Sequence, residues 1–239
     1  MLAIMSKRPI SSSFLHDFRL LAEKGDVLPI AEKPGHKDGW GIVSYQNRTP
    51  ILLGRQPKNA MEDPKYEEAC ELVDQLGLTG SLMAHLRKAS KGERSQENTA
   101  PFVRDEWCFG HNGTIPDLDT NIEGLRGNTD SEAFFLLLLR RIVENAVSTE
   151  RAITEIVQGI RRKYGYSSLT FLLSNGTRIY AYREYSDPKY SSYYNLMYAL
   201  DKESVLISQQ KIWYRDWVTI PNKTLVTVFK NLKVCSKTI

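Results

Sequence analysis

Ser131–Val147 reads SEAFFLLLLRRIVENAV, and Thr149–Arg162 follows it as TERAITEIVQGIRR. Phe134, Phe135, Leu138, Leu139 and Ile142 recur at helical spacing in the first stretch, and Ile153, Ile156, Val157 and Ile160 in the second, so each predicts an amphipathic helix with one apolar stripe. What lies on either side is of the other kind. Upstream, Leu2–Met5, Trp40–Tyr45, Ile51–Leu53, a segment resuming at Leu82, and Trp107–Gly110 are short apolar runs bounded by turn-formers, the pattern of strands. Downstream, Leu169–Leu173 and Arg178–Arg183 flank the hairpin signal Asn175-Gly176, and Val205–Ser208 and Leu225–Phe229 follow. Two further helices are predicted upstream. One, capped by Ser12 or Ser13, carries Phe14, Phe18 and Leu21; the other starts at Pro64, carries Tyr66, Ala69, Cys70, Leu72, Val73 and Leu76, and stops at Gly77. Strands split around two central helices, with no repeat, low-complexity segment or linker, predict one domain over residues 1–239. Its class is α+β, with helices packed on antiparallel sheets.

The 239 residues include 32 Lys+Arg and 28 Asp+Glu, a net charge of +4, with 41% hydrophobic residues, enough for a sizeable core. The most apolar run, Ala133–Leu139, meets Arg140 and Arg141 at once, whereas a membrane span needs about 20 residues, so no membrane partner is expected. The N-terminus MLAIMSKRP lacks the apolar stretch of a secretory signal, and a cytoplasmic location is expected. Cys70, Cys108 and Cys235 are an odd, widely spaced set that fits neither a disulfide framework nor a metal motif. The basic residues form no stripe: Arg151, Arg161, Arg162 and Lys163 read as a solvated helix face, and nucleic acid is not an expected partner.

Three polar clusters, each placed by the pattern at a strand end, could reach a shared cleft: His85-Leu86-Arg87, Gly110-His111-Asn112-Gly113 and Asn128-Thr129-Asp130-Ser131-Glu132. Singly, each has a plainer reading. An arginine at a strand end is commonly a surface ion-pair partner, Asn-Gly a turn, and Asp130 the cap of the following helix. Together they offer a guanidinium fork for a carboxylate, a carboxylate for an ammonium, and an amide beside an unhindered Gly N–H as donors to an oxyanion. That set suits an α-amino acid whose distal carbonyl is attacked.

The chain resembles the class II glutamine amidotransferases of the short, stand-alone type without a synthase domain. The resemblance runs over nearly its full length. It is carried by His36-Lys37-Asp38-Gly39-Trp40-Gly41-Ile42, His85-Leu86-Arg87-Lys88-Ala89-Ser90, Glu97-Asn98-Thr99-Ala100-Pro101-Phe102, Phe109-Gly110-His111-Asn112-Gly113 and Thr129-Asp130-Ser131-Glu132, followed by Ser174-Asn175-Gly176, Tyr180-Ala181-Tyr182-Arg183, Trp217 and Ile220-Pro221. It implies an N-terminal-nucleophile fold, a four-layer αββα sandwich of two antiparallel sheets between helical layers. It also implies that Arg87, with His85 beside it, binds the glutamine α-carboxylate, Asp130 the α-ammonium, and Asn112 with the Gly113 N–H the oxyanion. Asp38, Gly39, Trp40 and Gly41 would shape the pocket floor. No cofactor or metal is implied. The expected partner is glutamine or a γ-glutamyl small molecule, and the chain either hydrolyses the γ-glutamyl amide outright or feeds the ammonia to a separate synthase subunit.

Two positions depart from the family pattern. Ala100 stands where the family has a His before Pro-Phe, and the chain begins with the first strand, Met1-Leu2-Ala3-Ile4, where the family begins Met-Cys. The nucleophile is therefore missing from the chain as written, because an N-terminal nucleophile must bring its own α-amine as base. Cys108 is expected in the core or pocket wall. Either the cysteine lies upstream of Met1, or the protein keeps the pocket as an inactive glutamine-binding or assembly subunit. A metal hydrolase built on His85, His111 and Asp130 is a third reading, without a recognisable metal spacing.

Overall fold

The computed structural model describes residues 1–28, 33–90, 92–144, 147–213 and 215–239. The elements are β1 (Leu2–Ser6), α1 (Ser13–Arg19), α2 (Leu21–Lys24), β2 (Gly39–Gln46), β3 (Thr49–Gln56), α3 (Pro64–Leu76), β4 (Gly80–Arg87), β5 (Phe102–Arg104), β6 (Trp107–Asn112), α4 (Asp130–Glu144), α5 (Thr149–Lys163), β7 (Thr170–Ser174), β8 (Arg178–Arg183), β9 (Met197–Leu200), β10 (Ser204–Ser208), β11 (Val218–Thr219), β12 (Thr224–Phe229) and β13 (Val234–Thr238). Antiparallel pairing gathers them into a seven-stranded sheet, β11-β9-β10-β1-β4-β2-β3, and a six-stranded one, β13-β12-β8-β7-β6-β5.

Side-chain alternation along β1 shows why the two sheets stack. Leu2 and Ile4 enter a core with Phe18 of α1, Trp40 of β2 and Tyr66 of α3. Met1, Ala3 and Met5 enter the opposite core, between the sheets, with Cys108, Leu172 and Ala181. Both faces are covered, so the strand is apolar at every position rather than at alternate ones. A third core lies beneath α4 and α5, where Phe109, Phe134, Phe135 and Phe171 pack together, with the Phe109 and Phe135 rings stacked at 5.2 Å. Helices, sheet, sheet, helices: the architecture is the αββα sandwich.

Local chemistry sets the boundaries. Asn47 and Arg48 both have positive φ, 49° and 73°, making the tight turn between β2 and β3 whose twist suits a hairpin. Pro50 is tolerated because β3 is an edge strand. Asp63 caps α3 by accepting from the Lys65 N–H, and Gly77 ends it in the left-handed conformation.

Several expectations need correction. The first predicted helix is interrupted at Leu20, and Ser12 makes no side-chain cap; its hydroxyl instead donates to Asp74 at 2.6 Å, tying α1 to α3. Leu72 and Leu76 fall on the outer face of α3, 38% and 46% exposed. α4 ends at Glu144 rather than Val147, and residues 145–146 lie outside the described residues. β5, β9, β11 and β13 had no clear strand signal. Arg161 leaves the supposed solvated face to pair with the buried Glu184.

Candidate active site

β4 presents Leu82, Ala84 and Leu86 to the outer core, which turns His85 and Arg87 toward the space between the sheets. β6 presents Phe109 to the helices of the second layer, turning Gly110 and Asn112 the same way. A Cβ on Gly110 would stand 3.3 Å from the His85 ring and 3.5 Å from the Met1 sulfur, so glycine lets β6 close on β1 and β4 at this end. A Cβ on Gly113 would meet the Ser168 carbonyl oxygen at 2.0 Å, which restricts that turn to glycine.

Beyond these close approaches the sheets leave a cavity of about 440 Å³, within the range of small-molecule sites. Met1, His85, Arg87, Asn112, Gly113 and Asp130 all line it. The three polar clusters thus meet in one place, although Asn128–Glu132 is not a strand end. It opens α4, where the Thr129 hydroxyl accepts from the Glu132 N–H at 3.3 Å and the Glu132 carboxylate reaches back to the Gly127 N–H at 2.7 Å, a variant of the capping box. That cap fixes Asp130 at the first helical position, and its Oδ2 accepts from the Ile115 N–H at 2.6 Å.

Arg87 is buried and donates from Nη1 to the Glu93 carbonyl at 3.0 Å and from Nη2 to the Gly92 carbonyl at 3.4 Å. Burial weakens its hold on its proton, and the nearby Asp38 partly restores it. His85 hydrogen-bonds the His111 backbone; burial holds it well below the usual histidine range, and its Nδ1 is buried without a partner. Burial pushes the Met1 α-amine down to about 5; that amine donates to Gln209 Oε1 at 3.2 Å. His36, also on the wall, is pushed down to about 4, chiefly by burial. Burial thus disfavours the charged form of all three basic groups facing the cavity, which leaves Arg87 and Asp130 as the opposed charged side chains buried in its wall.

Asp38, Gly39, Trp40 and Gly41, expected at the pocket floor, are not among the residues that line this cavity. Asp38 Oδ2 accepts from the Ala89 N–H at 2.8 Å and pairs with Arg94, bracing the wall from behind. Trp40 points into the outer core and donates to Asp63 Oδ2 at 2.9 Å. A Cβ on Gly41 would collide with the Ala100 carbonyl oxygen at 2.6 Å, so this glycine admits the loop carrying Ala100, which does line the cavity. Both ring nitrogens of His111 are engaged, Nδ1 with Ser131 Oγ at 2.9 Å and Nε2 with the Ser168 carbonyl at 3.0 Å. This makes His111 a strut between α4 and the segment leading into β7, and among the described residues no group of three His, Cys, Asp or Glu is placed to hold a metal. Cys108 lies in the inter-sheet core, its thiol pushed up to about 12 by burial. Among the described residues no helix is long and apolar enough to cross a membrane.

Sequence reasoning did not single out Tyr193, Tyr194, Gln209 and Gln210, which complete the wall. The tyrosines sit in an irregular stretch before β9, with no periodic signal. Gln209 and Gln210 directly follow β10, a strand end that could have been searched as the other two were.

The family model described as glutamine amidotransferases class-II matches residues 1–202. The Escherichia coli protein named "Putative glutamine amidotransferase YafJ" is 30% identical over 162 residues, 62% of this chain and 60% of its own length. The chain spans 50 to 62% of the length of the curated relatives it matches. Among solved structures, a glutamine aminotransferase class-II domain protein from Silicibacter pomeroyi superposes with a TM-score of 0.62 over 99% of this chain and 97% of its own, at 22% identity. The glutamine phosphoribosylpyrophosphate amidotransferase of B. subtilis gives 0.69 over 99% of this chain and 48% of its own, at 12% identity, a likeness of fold. With a match over most of its length and a cavity assembled at the end of a shared αββα sandwich, the chain belongs to the class II glutamine amidotransferase family.

Proposed function

We propose that this chain binds glutamine or a γ-glutamyl compound in the Met1–Arg87–Asp130 cavity and, with a cysteine supplied just upstream of Met1, hydrolyses its γ-amide. One observation carries the reading: the amino end of β1 is buried in the cavity that Arg87, Asn112, Gly113 and Asp130 line. The register supports it. Leu2 pairs with Ala84 and with Ser208, so a residue preceding Met1 would stand opposite Leu86 and Gln210, both on the cavity wall. An α-amine there would share the burial that keeps the Met1 amine neutral, leaving its lone pair ready to take the thiol proton.

In this reading Arg87 pairs with the substrate carboxylate and Asp130 with its ammonium. The thiolate adds to the δ-carbonyl carbon, and the resulting oxyanion is held by the Asn112 amide and the Gly113 N–H. Collapse breaks the carbon–nitrogen bond, the amine leaves with the proton taken from the thiol, and water cleaves the thioester to glutamate and free thiol. Ammonia released this way would serve a separate synthase subunit. The second reading, a glutamine-binding or assembly subunit without turnover, rests on Ala100, a methyl group on the cavity wall where the family carries an imidazole.

The deciding experiment compares the chain starting at Met1 with one extended upstream in its natural frame. The extended protein, with its initiator Met removed, is expected to release ammonia from glutamine or a γ-glutamyl amide, and the Met1 form only to bind. In the extended form Asn112→Ala is expected to lower turnover about 100- to 1000-fold with little change in binding. An upstream frame without cysteine, or an extended protein inert toward every γ-glutamyl amide, establishes the binding-subunit reading.

A further inference from the structure

A second, smaller cavity of about 180 Å³ lies behind the wall of the first, between β3, β5 and the start of α4. Arg55, Arg104 and Arg126 line it, with Glu97 and Glu132 as the carboxylates among its lining residues. Three guanidiniums against two carboxylates leave the site with one excess positive charge.

The carboxylates are already engaged. Glu132 is fully buried and accepts from Arg104 at 2.6 Å, from the Gly127 N–H at 2.7 Å and from the Arg126 N–H at 3.2 Å. Glu97 is exposed and turns to its own backbone and Ser95. Arg104 is likewise committed, to Glu132 and to the carbonyls of Val103 and Gly124 at 2.9 and 3.0 Å. Arg55 is not: one terminal nitrogen donates to the Pro101 carbonyl, while its Nε is buried with no hydrogen-bond partner. Burial and the charges of Arg104 and Arg126 together weaken its hold on its proton. Arg126, exposed at the rim, adds a third like charge.

A buried guanidinium N–H without an acceptor is costly, and like charges brought together add to the cost. Both are relieved by one small anion with several acceptor oxygens, for which guanidinium forks are the matching donors. A volume of about 180 Å³ is that of roughly six water molecules, room for a tetrahedral or planar oxyanion. We propose that this cavity is an oxyanion site in which Arg55 and Arg126 bind a phosphate or carboxylate group, free or at the end of a larger metabolite, with Arg104 and Glu132 as its rigid back wall.

The site does not depend on the glutamine reading, yet it touches the same wall. Phe102 lines both cavities, and Gln96, at the mouth of the second, donates to the Arg55 carbonyl at 3.3 Å. The test is calorimetric titration of the purified chain with inorganic phosphate, phenyl phosphate and acetate at constant ionic strength, with Arg55→Gln, Arg126→Gln and the distant surface variant Arg162→Gln. One saturable site is expected. Arg126→Gln should weaken it at least tenfold, Arg55→Gln should abolish it, and Arg162→Gln should leave it unchanged. Tighter phenyl phosphate than phosphate identifies a phosphoryl group on a larger ligand, and a preference for acetate identifies a carboxylate; either supports the site. Because Arg126 lies at the rim, its variant decides even if Arg55→Gln fails to fold. No saturable binding of any of the three anions, or equal weakening by Arg126→Gln and Arg162→Gln, overturns the proposal.

Discussion

Two buried polar regions of this molecule are finished differently. Around Glu184, which is fully buried, every group has a partner: its carboxylate accepts from Arg161 at 2.9 and 3.0 Å and from the hydroxyls of Tyr182 and Tyr166 at 2.5 and 2.8 Å. Next to it, Arg183 donates to the carbonyls of Tyr194, Ile220 and Ser191 at 3.0, 2.7 and 2.7 Å. At the open end of the sandwich, His85 Nδ1 and Gln209 Nε2 are buried on the cavity wall without partners, and the Met1 amine has one long bond to Gln209. A network that serves folding closes on itself, because an unmet buried group costs stability. One that serves a ligand leaves bonds to be made. The incomplete region is therefore the one to assign to binding, and the complete one to architecture.

The sharpest way to break that contrast is to open the closed network. Glu184→Ala leaves the Arg161 guanidinium and two tyrosine hydroxyls without their acceptor, and removing one partner of a buried ion pair costs about 3 to 5 kcal/mol. Arg161 is 26% exposed, which places the expected loss toward the lower end. Urea unfolding of the variant checks it, and a loss below about 1 kcal/mol would remove Glu184 from the architecture.

The open region should instead reveal itself through pH. The Met1 amine falls from 8.0 to about 5 and His36 from 6.5 to about 4 on folding, chiefly through burial, and His85 is depressed as well. The unfolded chain takes up these protons first, so stability is full above about pH 8 and falls as the pH drops through 6 toward 4. For the amine of the chain starting at Met1, three units correspond to about 4 kcal/mol as an upper bound. Acetylating that amine should flatten the decline between pH 8 and 5, and identical unfolding profiles with and without the acetyl group would show that the amine is not buried.

How much of this was legible in the sequence follows from the same division. Amphipathic periods placed α3, α4 and α5, because a helix covering a sheet must show one apolar stripe. β1 was legible for the opposite reason: both faces are covered, so Leu2–Met5 is apolar throughout. β5, β9 and β11 were not, being only two to four residues long, too short for alternation to register. β13 was missed because it is mostly exposed at a sheet edge and carries Ser236, Lys237 and Thr238, a polar run held by pairing with β12. Arg87, Asn112 and Asp130 could be picked out because the chemistry of an α-amino acid calls for those groups at element ends. That Trp40 turns into the outer core could not, since a run such as Asp38–Gly41 does not say which side of a sheet its side chains take. Tyr193 and Tyr194 reach the wall through an irregular segment anchored by Arg183, a contact between residues far apart in pattern.

The smallest expected effect tests the open region most directly, because it preserves charge and changes only geometry. Arg87 holds the carbonyls of Gly92 and Glu93 while facing the cavity, and a planar guanidinium can keep such bonds and still present an edge to a carboxylate. A lysine ammonium is one point charge on a flexible stem. Arg87→Lys is therefore expected to keep the attraction but lose the fork, weakening glutamine binding about tenfold, roughly 1.4 kcal/mol, with unfolding changed far less than in Glu184→Ala. Asp130→Asn supplies the complementary arm: the parent should prefer glutamine over its des-amino analogue, and the variant should lose that preference, since only glutamine brings an ammonium to the carboxylate. Titration calorimetry reads both. If Arg87→Lys binds glutamine as the parent does while Asp130→Asn keeps its preference, then this cavity does not hold an α-amino acid by its two charged ends, and the unmet groups of His85 and Gln209 await a different ligand.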